Sequence, residues 1–95
     1  MDGTDNFHST NMKINLLYFG RPRERLSTAS ESTDIPDNII TLAELLAWLR
    51  TRGEPWMHEL NENRVRCAIN QRMAGLSAPL SEHDEVAIFS PISGG

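Results

Sequence analysis

The sequence predicts an α+β domain, a mixed β-sheet packed on one main helix within a single folding unit. Three observations carry this reading. The run from Lys13 to Phe19 begins with apolar alternation and ends apolar. The segment from Leu42 to Arg52 carries a leucine stripe between clear helix start and stop signals. Two more alternating runs, Val65 to Asn70 and Glu85 to Phe89, follow that helix. Strand, strand, helix, strand, strand is the order expected of a sheet that buries one face against a helix. A chain of 95 residues suits one domain with a modest core.

Residues 1–11, MDGTDNFHSTN, are polar and lack any hydrophobic period. They read as a disordered extension, with Met12 a plausible natural start and the domain spanning 12–95. In the first strand Ile14, Leu16, Leu17, Tyr18 and Phe19 crowd toward the end, a pattern expected of a strand buried on both faces there. Gly20 and Pro22 stop it, and Arg23 to Leu26 suffices for one short helical turn. The small polar run Ser27 to Ser32 is a turn, followed by a weak strand over Glu31 to Ile35 that Pro36-Asp37-Asn38 breaks.

The helix is the clearest element. Thr41 followed three residues later by Glu44 is a capping box. Leu42, Leu45, Leu46 and Leu49 repeat at i, i+3, i+4, i+7 and form one apolar stripe. Arg50 and Arg52 complement the negative end of the helix dipole, and Gly53 supplies a stop. Pro55 can open a short helix through Leu60. Val65, Cys67 and Ile69 then share one face of a strand, and Asn70-Gln71-Arg72 forms a turn. Leu76 to Leu80 is a loop or short strand broken by Pro79, and Ser81 to Asp84 is a polar turn. In the last strand Val86 and Ile88 oppose Ala87 and Phe89.

Composition narrows the function. Nine basic against thirteen acidic residues give a net charge of −4, which disfavours a general nucleic-acid binder. No apolar run nears the ~20 residues of a membrane helix, and the first residues lack the pattern of a secretory signal. One cysteine rules out an internal disulfide and any multi-cysteine metal site. A soluble, cytoplasmic protein that touches neither nucleic acid nor membrane is expected.

Internal chemistry is sparse. Cys67 alternates with core positions and reads as a structural thiol. His8, His58 and His83 have no ligand spacing. His58-Glu59 starts like a zinc-protease helix, but Glu62 stands where the second histidine is needed, so no metal is expected. The glycines form neither a P-loop nor a dinucleotide fingerprint. Arg21, Arg23 and Arg25 read as a solvated turn, and Trp48 and Trp56 as core or core-edge residues. Lys13 is the one lysine beside eight arginines. Genomic composition bias accounts for this; a scarcity of amines that an activated carboxyl could acylate is a sharper reading.

What remains is the end, Gly94-Gly95. Two glycines make a slim, pliable tip that can enter a narrow cleft. At ~7% glycine usage such an end arises by chance in roughly 1 in 200 chains, so the residues upstream must decide its meaning. Pro91 stiffens the base of the tail. Residues 91–95, fully extended, reach ~17 Å. A free carboxylate, with a pKa of roughly 3.5, is ionised and unreactive as an acyl donor until another enzyme activates it.

From about Met12 onward the chain resembles the small, sulfur-carrying subunit of molybdopterin synthase. The resemblance rests on Leu17-Tyr18-Phe19-Gly20 with Arg23-Glu24, on Thr41-Leu42-Ala43-Glu44-Leu45, and on Ala68-Ile69-Asn70-Gln71. It continues in Pro79-Leu80 and Asp84-Glu85-Val86-Ala87, and is most specific in Phe89-Ser90-Pro91-Ile92-Ser93-Gly94-Gly95. Ser90 departs from it, standing where many relatives have a first proline. The resemblance implies a β-grasp, ubiquitin-like fold and a heterotetramer with the large synthase subunit. It implies that an E1-like adenylyltransferase uses ATP to adenylate the Gly95 carboxylate, which sulfur then converts to a thiocarboxylate. Delivered into the large subunit, that sulfur passes to cyclic pyranopterin monophosphate (precursor Z). The chain itself would bind no cofactor. Gly95 and Gly94 are then the reacting tail, while Phe89, Pro91, Ile92 and Ser93 are the partner-binding candidates; core packing is the other reading of Phe89. A thiamine-type sulfur carrier, a ubiquitin-like modifier conjugated through Gly95 and a plain interaction domain are the competing readings.

Overall fold

The computed structural model describes residues 11–91. In chain order they form β1 (Asn11–Tyr18), α1 (Gly20–Leu26), β2 (Ser30–Pro36), α2 (Leu42–Arg50), α3 (Trp56–Glu59), β3 (Arg66–Ile69), β4 (Arg72–Ala74) and β5 (Glu85–Phe89). One five-stranded sheet has the order β2-β1-β5-β3-β4. Its central pair, β1 and β5, is parallel, with Asn15 beside Glu85 and Tyr18 beside Ile88. The other pairs are antiparallel. A mixed sheet with a helical crossover is the architecture expected, with one strand more than the sequence reading gave.

The core lies between the inner sheet face and α2. Ile14, Leu16 and Tyr18 of β1, Ile35 of β2, Cys67 of β3 and Val86 and Ile88 of β5 meet Leu42, Leu45, Leu46 and Leu49 of α2. All four helix leucines are fully buried, each contributing ~1.5–3 kcal/mol by removal from water. The capping box forms as expected. The Glu44 N–H donates to Thr41 Oγ1 at 3.3 Å, and the Thr41 N–H donates to Glu44 Oε1 at 3.0 Å.

Several boundaries differ from expectation, each for a local reason. β1 begins at Asn11, which pairs with Pro36. Helix α1 starts at Gly20 and runs to Leu26, longer than the single turn foreseen, because Pro22 and Leu26 both bury against the body. Gly20 does not end the segment; at φ +62° it turns the chain from strand into helix. Helix α2 ends at Arg50, not Arg52, since the Thr51 hydroxyl donates to the Trp48 carbonyl at 2.6 Å and closes the last turn. The short helix after Pro55 spans Trp56–Glu59, ending before Leu60. Asn70 and Gln71 take the positive φ values of a tight hairpin, so Arg72 is not turn but the first residue of β4. Residues 76–80 form a loop with one bridge, Thr41 to Pro79.

A polar knot closes the end of the core near Tyr18. The Tyr18 hydroxyl donates to Glu31 Oε2 at 2.8 Å. Arg52 grips the same carboxylate with two bonds, Nη1 to Oε2 at 2.8 Å and Nη2 to Oε1 at 3.1 Å. Its guanidinium lies 4.3 Å from the Trp56 ring centroid, and Trp56 meets Tyr18 edge-on at 5.6 Å. Burial and the Glu31 carboxylate push the Tyr18 phenol well up, so it stays neutral. Burial pushes the Glu31 carboxyl up as well, but the bonds from Arg52 and Tyr18 outweigh it and hold the group below its ordinary value. The stabilisation is therefore complete above the usual glutamate value of about 4.3 and is lost as pH falls through the lower folded value. Glu31→Gln is expected to lower stability at neutral pH by roughly 1 kcal/mol, the pair being partly exposed and screened. It should also flatten the fall in urea midpoint between about pH 6 and about pH 3. Equal acid sensitivity in both proteins would contradict this role.

Candidate docking face and tail exit

The period of two that buries Ile14, Leu16 and Tyr18 turns Leu17 to the other side of the sheet. Register then aligns a row across four strands: Leu17 beside Ala87, Ala87 beside Ala68, and Ala68 beside Met73. Two alanines at the centre keep the row shallow. At its end Met73 is 66% exposed. One step further along the sheet, Phe19, Gly20, Ala87, Phe89, Ser90 and Pro91 line an open groove of about 620 Å³. The Phe19 N–H donates to the Ile88 carbonyl at 3.0 Å, which fixes that ring beside the end of β5. The left-handed Gly20 leaves a wall without a side chain.

The end of β1 is thus not buried on both faces. Tyr18 is buried, but Phe19 is 47% exposed, because the helix layer packs on the inner face alone. An outward-facing apolar row, part-covered at its centre and exposed at Met73, that continues into an aromatic groove is a usual mark of a protein-docking surface. Of the residues singled out in the sequence, Phe89 and Pro91 do come together in this groove. Phe89 is half-buried, sharing its strand with the core but facing outward. Ile92, Ser93, Gly94 and Gly95 lie outside the described residues. Leu17, Phe19 and Met73 were not singled out. Parity in β1 was the available signal for the first two, since Leu17 and Phe19 alternate with the core positions.

Of Arg21, Arg23 and Arg25, the last two are exposed as expected, on a helix in place of a turn, whereas Arg21 is tied down. All three lie on α1, and Arg21 Nε donates to Glu59 Oε1 at 3.1 Å, compensating a carboxylate that is only 5% exposed. Arg66 pairs in register with Phe89 and is exposed. Trp48 and Trp56 pack at the core edge. His58 and His83 are exposed. Among the described residues no cluster of three or more histidine, cysteine or acidic side chains stands ready for a metal, and no helix is long and apolar enough to cross a membrane.

Cys67 lies on the inner face, 3% exposed, and burial pushes its thiol up to about 12. It is a packing residue. An alkylating reagent at neutral pH is expected to leave it unmodified in the native protein and to label it fully in denaturant; rapid native labelling would refute the assignment.

Fold and site together define a ubiquitin-like β-grasp domain with an apolar sheet face beside the exit of its C-terminal strand. The chain belongs to the ThiS family, whose model matches residues 16–95. It is 34% identical to the molybdopterin synthase sulfur carrier subunit of Mycobacterium tuberculosis, over 88% of this chain and 99% of the relative. It is 29% identical to the Escherichia coli protein of the same name, over 86% and 99%. In three dimensions it is similar to one subunit of the complex of subunits 1 and 2 of the molybdopterin-converting factor from Helicobacter pylori (TM-score 0.58, 27% identity, 88% and 100% covered). It shares its fold with small archaeal modifier protein 1 of Methanosarcina acetivorans (TM-score 0.67, 20% identity, 90% and 98%). The same holds for a Caldiarchaeum subterraneum ubiquitin (TM-score 0.56, 14% identity, 90% and 99%).

Proposed function

We propose that this protein is the sulfur carrier subunit of a molybdopterin synthase and that the Gly95 carboxyl is its reacting group. The observation that carries the reading is the end of β5. The central strand runs straight into an open apolar groove and hands on four further residues, ending in Gly94-Gly95. The names of the two relatives and the two-subunit assembly of the Helicobacter pylori structure support it.

In this cycle a carboxylate oxygen of Gly95 attacks the α-phosphorus of ATP on an E1-like adenylyltransferase, and pyrophosphate leaves. Hydrosulfide attacks the acyl carbon, a C–S bond forms as the C–O bond to AMP breaks, AMP leaves and the sulfur loses its proton, giving the thiocarboxylate. The exposed sheet face docks the large subunit, placing that sulfur beside cyclic pyranopterin monophosphate. Tethering raises the effective concentration of the nucleophile at the acceptor carbon. Acids, bases and cations for the transfer come from the partner.

Intact mass spectrometry of protein from its native host is the test. A species heavier by one oxygen-to-sulfur exchange, mapped to Gly95, is expected. If none forms even with the activating enzyme, ATP and a sulfur donor, the carrier reading fails. Conjugates joined to lysines of other proteins would point instead to a modifier.

A further inference from the structure

The lysine scarcity acquires a chemical meaning from where the basic residues stand. Lys13 is the one lysine of the chain. Its Nζ lies 3.0 Å from Asp34 Oδ1, drawn sideways onto β2. Because β1 and β5 are parallel, the tail leaves the sheet at the end opposite Lys13. Phe19, in the wall shared with Pro91, is six residues further along the chain, ~20 Å at ~3.3 Å per residue. Residues 92–95 span at most ~14 Å. That reach is shorter than the path along β1 to the Lys13 backbone, and the Lys13 amine pairs with Asp34.

At the exit itself the cations are arginines. Arg66 stands beside Phe89 in register, and Arg21 and Arg23 follow the groove residue Gly20. Arg23 and Arg66 are exposed, and Arg66 stands on the strand paired with the one that carries the tail. An acyl adenylate is an electrophile that any neutral amine can attack. At pH 7 an ordinary lysine is neutral in roughly 1 molecule in 2,500, whereas a guanidinium is neutral in fewer than about 1 in 300,000. Effective molarities of ~10⁵ M or more for a well-placed tethered amine would offset the lysine fraction. They would not rescue the delocalised guanidinium to the same degree.

We propose that Arg23 and Arg66 form a non-nucleophilic cationic collar. It keeps positive charge beside the tail while denying the activated carboxyl an intramolecular acceptor, so the acyl group survives for its sulfur donor. The inference rests on activation of Gly95 as proposed above. The avoided step is explicit: a neutral lysine amine attacks the acyl carbon, a C–N bond forms, the C–O bond to AMP breaks, AMP leaves and the nitrogen loses a proton to water.

The experiment uses the full chain with an E1-like adenylyltransferase and ATP, without a sulfur donor. Wild type, Arg23→Lys and Arg66→Lys are compared by pyrophosphate release, intact mass and peptide mapping. The quantity read is self-joined product, lighter by one water, per pyrophosphate released, so weaker adenylation of a variant does not mask the result. Wild type should release pyrophosphate without joining to Lys13. At least one variant should show a rise of about tenfold or more, with Gly95 linked to the introduced amine. Variants that adenylate yet self-join no more than wild type would overturn the collar, as would a wild-type product at Lys13. No pyrophosphate from wild type would overturn the activation reading instead.

Discussion

Removing Gly95 is expected to abolish sulfur transfer while leaving the fold and partner docking intact. The shortened chain still ends in a carboxylate, that of Gly94, so the chemistry is not deleted but displaced. One residue of extended chain is ~3.5 Å. Misplacing a reacting atom by ~1 Å already costs about 10²-fold, so a loss well beyond that is expected in transfer to the pterin precursor. Among the described residues the buried core runs from Ile14 to Ile88, and Pro91, the last of them, is exposed. The urea midpoint and the affinity for the large subunit should therefore match those of the full chain. The readouts are product formation in a reconstituted synthase and, separately, titration of binding. Retained transfer would show that the terminal position is not the reacting one, and loss of folding would make the tail structural.

Phe89→Ala should break docking without unfolding the protein. The residue is half-buried and stands with Phe19 and Pro91 in the groove, one step along β5 from the row Leu17, Ala87, Ala68, Met73. Aromatic residues central to an interface are frequent hot spots, where truncation costs 2 kcal/mol or more, about 30-fold in Kd. Phe19→Ala should act in the same direction. Asp37→Asn, an exposed change in the loop after β2, serves as the control. Calorimetric titration with the large subunit measures the affinity, and near-ultraviolet circular dichroism the fold. An unchanged Kd for both phenylalanine variants would move the interface elsewhere.

Much of this was legible in the residues, and the reasons for the rest are physical. The capping box and leucine stripe marked α2 at once, because both are local signals. The strand Glu85–Phe89 was found with its bounds intact, since alternation and flanking turns agreed. The hairpin strand β4 was missed because Arg72-Met73-Ala74 is three residues long and has no period of its own; its pairing to β3 defines it. The groove was half visible. Phe89 and Pro91 stood out through the family resemblance, but Phe19 looked like core because a sequence does not say how many layers cover a strand. The pairing of Arg21 with Glu59 joins α1 to α3 across 38 positions, and no local pattern announces it.

The parallel pairing of β1 and β5 also has a mechanical meaning. On the function proposed above, the tail is taken up by one enzyme and then by another, and each withdrawal pulls on the chain's end. Here that pull is applied to the middle strand of the sheet, hydrogen-bonded to β1 on one side and β3 on the other. The ladders on both flanks are loaded together in shear, along their length, instead of being peeled open one bond at a time as at an edge. The chain's end can be handled repeatedly because it is anchored on a strand held along both flanks.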